Sequence, residues 1–113
     1  MTELTRKRCT PCRGGIPPLS GAALAALQDQ LPFWKVIEGH HLAKSFLFRN
    51  FKSGLEFVNR IGLLAEEEGH HPDLHLSWGK VDVEIYTHKI DGLSENDFIL
   101  AAKIDQAFFR KSS

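Results

Sequence analysis

The sequence predicts an α+β two-layer sandwich, in which a four-stranded antiparallel sheet carries helices on one face in the order α-β-β-α-β-β-α. Two pairs of strand-like runs are each joined by a glycine-bearing turn, far too short for a parallel crossover, so both pairs read as antiparallel hairpins. Three other stretches repeat apolar residues at helical spacing. The 113 residues are 42% hydrophobic, enough for one core and hence one domain.

Residues 1–18 contain Gly14-Gly15 and Pro17-Pro18, which resist helix and strand, so they read as an irregular lead-in to a domain over 19–113. Ser20 is placed to cap a helix over 21–30, where Leu24, Leu27 and Leu31 recur at helical spacing and Pro32 forces a stop. Strands follow over 33–38 and 42–48, both rich in aromatic and aliphatic residues and separated by Glu38-Gly39-His40. Ser53 and Glu56 have the form of a capping box, and Phe57, Val58, Ile61, Leu64 and Ala65 form one stripe of a second helix. Gly69 suits the left-handed turn past its end at Glu68, and Pro72 cannot continue it.

A second hairpin joins 74–78 to 81–87 through Gly79-Lys80. Strict alternation puts Val81, Val83, Ile85 and Thr87 on one face and Asp82, Glu84, Tyr86 and His88 on the other. Ser94 and Asp97 open a last helix over 95–110, with Ala101, Ile104 and Phe108 on its inner stripe. The two strand-strand-helix halves hint at a duplication that their sequences do not prove.

Fourteen basic and fourteen acidic residues cancel, so no general field draws nucleic acid or an anionic membrane, and neither is expected as a partner. No apolar run approaches the about eighteen residues of a membrane span, and the start of the chain lacks the apolar stretch of a secretory signal. A soluble, cytoplasmic protein is expected. In that reducing setting Cys9 and Cys12 read as free thiols, a weak metal half-site or a redox pair rather than a disulfide.

The chemistry concentrates in Glu66-Glu67-Glu68-Gly69-His70-His71-Pro72 and in His88. Imidazoles titrate near neutrality, so three of them brought together would donate and accept protons at cellular pH. His70 and His71 follow a helix end, where one imidazolium would simply complement the dipole, but Pro72 stiffens the loop that presents both. Glu66, four residues before His70, shares its face of the last turn and can orient it, or can be one solvated charge of an acidic run. His88 lies off the apolar face, in the hairpin that directly follows the His-His-Pro loop, so its strand can return beside that loop. Asp97 falls on the inner stripe of the last helix, although capping alone would explain it. His40-His41 reads as surface, and His75 as solvent-facing or structural. Three imidazoles would also satisfy a catalytic zinc, but adjacent His70 and His71 diverge, which makes joint chelation awkward.

On these residues the chain resembles the pterin-4a-carbinolamine dehydratase family, whose members also serve as dimerisation cofactors of a homeodomain factor. The resemblance rests on Glu66-x-x-x-His70-His71-Pro72, on Thr87-His88, and on Gly92-Leu93-Ser94-Glu95 leading to Asp97. It extends to Cys9-Thr10-Pro11-Cys12, Gly14-Gly15-Ile16-Pro17-Pro18-Leu19 and Trp34, and departs at Leu74, Asn96 and Gly69. It implies dehydration of 4a-hydroxytetrahydropterin to quinonoid dihydropterin, recycling the cofactor of aromatic amino-acid hydroxylases, without metal or bound cofactor. It also implies a homodimer or homotetramer. By position, His70 and His88 would transfer protons, His71 would anchor the pterin, Glu66 would orient His70, and Asp97 would hold the opposite rim. Gly69, Tyr86, Thr87, His88 and Lys89 would contact the ring. The alternatives are a non-catalytic pterin-binding or dimerisation module, and a dehydratase acting on a molybdopterin-type pterin.

Overall fold

A computed structural model describes residues 3–10 and 16–109; Cys12, Gly14, Gly15 and Arg110 lie outside them. Its elements are α1 (Gly21–Asp29), β1 (Lys35–Ile37), β2 (His41–Leu47), α2 (Phe51–Glu68), β3 (Asp73–Ser77), β4 (Lys80–Ile85) and α3 (Glu95–Phe109). This is the expected element order. The sheet runs β1-β2-β4-β3 with every neighbouring pair antiparallel.

The alternation of β4 does what the sequence predicted of it. Val81, Val83 and Ile85 are buried, and Phe46 and Leu42 on β2, the cross-strand partners of Val81 and Ile85, are buried with them. Against this face pack Phe57, Ile61 and Ala65 of α2 and Phe98, Leu100, Ala101 and Ile104 of α3, all 2% exposed or less. Ser45, His75 and Glu84 point away from the helices and are exposed. Trp34 enters the core ahead of β1, its indole N–H donating to Asp105 of α3 at 3.0 Å. Among the described residues no helix is long and apolar enough to cross a membrane.

Three local expectations shift. Helix α2 starts earlier than the Ser53 box implied, because Asn50 takes the cap position and its side-chain oxygen accepts the Ser53 N–H at 2.8 Å. Ser20 occupies the cap position of α1, but its side chain makes no capping bond. Within the expected lead-in, Glu3–Arg6 form a 3₁₀ turn that drives Leu4 into the core, and the Leu19 N–H bonds the Leu93 carbonyl at 2.8 Å. The core therefore reaches further towards the N-terminus than Leu19.

The register decides where the chemistry gathers. Asp73 at the start of β3 pairs with Glu84 near the end of β4, so the His-His-Pro loop and the segment after Ile85 meet at one end of the sheet. The C-terminus of α2 and the N-terminus of α3 reach the same end.

Candidate active site

Helix α2 ends at Glu68, and the φ of +64° at Gly69 reverses the chain so that the His70 N–H also reaches the Ala65 carbonyl, at 3.2 Å. The two histidines leave this turn in different directions. His70 turns inwards, and its Nε2 lies 2.6 Å from Oδ1 of Asp97, a fully buried carboxylate. His71 turns outwards, and its Nε2 lies 2.5 Å from Oε2 of Glu66, both side chains being exposed.

The carboxylates are thus exchanged relative to expectation. Glu66 serves His71 rather than His70, because the left-handed turn at Gly69 carries His71 back over the last helical turn. Asp97, expected on an opposite rim, holds His70 directly. Its second oxygen accepts the Ser94 N–H and the Thr87 hydroxyl, each at 2.8 Å. Both readings of Asp97 hold together: it caps α3 from its third position and fixes an imidazole, in the positive field of the helix start.

His88 arrives by another route than strand alternation. β4 ends at Ile85, and Thr87, buried and paired with Gly92, leads into a 3₁₀ turn over His88–Ile90. The Tyr86 ring lies between two imidazoles, 4.2 Å from His88 and 4.5 Å from His40 between centroids. Tyr86 therefore backs His88 and does not line the cavity. His40, expected as plain surface, bonds Asp91 beyond the His88 turn at 2.8 Å and contacts His41 at 3.1 Å between Nδ1 atoms. His75 is exposed.

A cavity of about 640 Å³ brings together Glu66, Gly69, His70, His71, Thr87, His88 and Lys89, a volume suited to a small heteroaromatic ligand. Its wall also includes Cys9, Thr10, Glu68 and Asn96, none of which the sequence singled out as site residues. Glu68 had a faint signal as the inward member of its acidic run; Asn96 and Thr10 had none, since nothing local ties residue 10 to residue 96. Burial, followed by the nearby Glu68 charge, pushes the Cys9 thiol up to about 12. It is a free thiol, and its Sγ lies 3.6 Å from the Asn96 carbonyl oxygen. Among the described residues, no three His, Cys, Asp or Glu side chains are grouped to hold a metal ion.

Comparison with known proteins decides the family. The model of the pterin 4 alpha carbinolamine dehydratase family matches residues 17–107. The chain belongs to this family. A relative from Rubrobacter xylanophilus, provisionally named pterin-4-alpha-carbinolamine dehydratase, is 56% identical over 94% of this chain and 99% of its own. One from Alkaliphilus metalliredigens with the same provisional name is 55% identical over 94% of this chain and 96% of its own. The crystal structure of a transcriptional coactivator/pterin dehydratase from Brucella melitensis superposes with a TM-score of 0.75 at 27% identity, covering 80% of this chain and 97% of that one. This chain and that structure share a fold.

Proposed function

We propose that this protein dehydrates pterin-4a-carbinolamine to quinonoid dihydropterin by histidine general acid/base catalysis, recycling the pterin cofactor of aromatic amino-acid hydroxylases. The observation that carries the reading is the pairing of His70 with the buried Asp97 at a cavity that also holds His88. The reaction breaks the C4a–O bond and the N5–H bond. The N5 electron pair forms the C4a=N5 double bond as the hydroxyl takes a proton and leaves as water, and the N5 proton passes to a base. One protonated and one neutral imidazole supply both transfers, and no metal or bound cofactor takes part.

His70 and His88 are the transferring pair. With Nε2 of His70 committed to Asp97, Nδ1 is the nitrogen left to face substrate. His71, braced by Glu66, anchors the pterin, and Gly69, Thr87 and Lys89 complete the ring contacts. The family relationship and the full set of titratable groups favour this enzyme over a non-catalytic module. The proposed form is a cytoplasmic homodimer or homotetramer; light scattering reads this directly as a multiple of the 12.7 kDa chain.

Stopped-flow mixing with freshly generated 4a-hydroxytetrahydropterin tests the activity against the spontaneous dehydration. The expected result is acceleration by the wild type and a loss of about a hundredfold or more in kcat for His70→Gln and His88→Gln. No acceleration, or variants as fast as the wild type, overturns the reading.

A further inference from the structure

The cavity has a wall that the proton transfers leave unused, made by Cys9 and Thr10. The two residues are held with unusual completeness for a segment near a chain end. The Cys9 N–H donates to Glu68 Oε1 at 2.8 Å, and the other Glu68 oxygen accepts from Lys103 at 2.8 Å, with the Glu68 side chain 3% exposed. The buried Asn96 takes both backbone groups of Thr10: Oδ1 accepts its N–H at 3.0 Å, and Nδ2 donates to its carbonyl at 2.6 Å. Asn96 thus does for Thr10 what a neighbouring strand would do. Burying an amide and a carboxylate is costly unless they are satisfied, and here they are satisfied by the strap.

Asn96 immediately precedes Asp97, so one helix start sets both the strap and the His70 imidazole. In a pterin-4a-carbinolamine the reacting atoms are C4a and N5, and the ring substituent sits on C6, bonded directly to N5. A wall locked beside the proton-transfer pair therefore lies within reach of that substituent. Thr10 lines the cavity and spends its backbone on Asn96, which leaves the hydroxyl and methyl of this exposed residue as its groups for a ligand.

We propose that the Cys9–Thr10 strap reads the C6 substituent of the pterin and favours a short hydroxylated chain through the Thr10 hydroxyl, with Glu68 and Asn96 as positioning residues. This rests on the dehydratase reading. The test compares initial rates on two freshly generated carbinolamines, one carrying a 6-methyl group and one a 6-dihydroxypropyl group. For Thr10→Val, an exposed and nearly isosteric change, the ratio of kcat/KM for the diol to that for the methyl substrate should fall about fivefold, the loss of one hydrogen bond, carried by KM. Asn96→Ala, which frees the strap, should shift the ratio in the same direction. A ratio unchanged in Thr10→Val, whether both rates hold or both fall together, overturns the inference and leaves the dehydratase reading standing. Absence of wild-type acceleration with either substrate overturns both.

Discussion

Asp97 divides its two oxygens, one holding the imidazole of His70 and the other holding the start of α3 and the Thr87 hydroxyl. An amide in its place keeps only one acceptor. Asp97→Asn should therefore lower kcat at least about tenfold and cost about 1–3 kcal/mol in urea denaturation, since one buried donor is left unmatched. Cys9 makes a separate prediction in alkali. Its thiol is pushed from 9.0 up to about 12, so the folded state holds a proton that the unfolded state releases first. That contribution is fully present below pH 9.0 and is lost as pH rises towards about 12. Cys9→Ala should flatten the alkaline decline measured by denaturation at stepped pH. Glu68 works in the opposite direction. Burial raises its pKa, but the Lys103 hydrogen bond and the Cys9 N–H outweigh this, and the net value lies below the ordinary 4.5. Its contribution is present above 4.5 and is lost as pH falls through the depressed value. Glu68→Gln should remove that acid limb and, by leaving Lys103 unpaired in a site 12% exposed, cost about 3 kcal/mol near neutral pH.

At the scale of elements, α2 carries the site at one end and its anchor to the sheet at the other. A Cβ added at Gly54 would stand 3.0 Å from Leu76 Cδ1 and 3.5 Å from Val81 Cγ2, so a side chain there must push Leu76 aside where the helix meets the sheet. Gly54→Val should destabilise by about 1–3 kcal/mol through overpacking, read as a drop in melting temperature. At the other end Gly69 adopts a φ of +64° with open space around it, so a substitution there strains the backbone without a clash. Gly69→Ala should cost about 1–2 kcal/mol. It should also lower activity more than an equally destabilising change at Asn50, because only Gly69 sets the divergence of His70 and His71. The Asn50 cap, three residues ahead of the expected one, was legible as a residue type; Ser53 was simply the more conspicuous candidate, and the chain uses it as the donor.

The molecule as a whole gathers its site from four places: the end of α2, the start of β3, the turn after β4 and the start of α3. The antiparallel register makes this convergence unavoidable once the sheet forms, since Asp73 and Glu84 are paired. The N-terminal segment joins from outside that logic, by burying Leu4 against the same core. Leu4→Ala should then destabilise the whole protein by about 2–4 kcal/mol in a single cooperative transition. A chain whose folded unit began only at Leu19 would show no such effect.

Periodicity within contiguous stretches, set by local backbone geometry, was sufficient for the sheet, the three helices and the buried face of β4; for α3 it gave Ala101 and Ile104 but not the burial of all of Asn96 to Ala102, which comes from packing on several sides. The grouping of His70, His71 and His88 was legible too, because a hairpin and a helix end constrain neighbours along the chain. Which carboxylate serves which imidazole was not, since one left-handed residue at Gly69 turns His71 onto Glu66 and leaves His70 to Asp97, a residue 27 positions away. Nor was the wall built by Cys9 and Thr10 on Asn96, whose hydrogen bonds span 86 residues of sequence. Such pairings depend on where the folded chain brings distant segments, and no local pattern encodes that meeting.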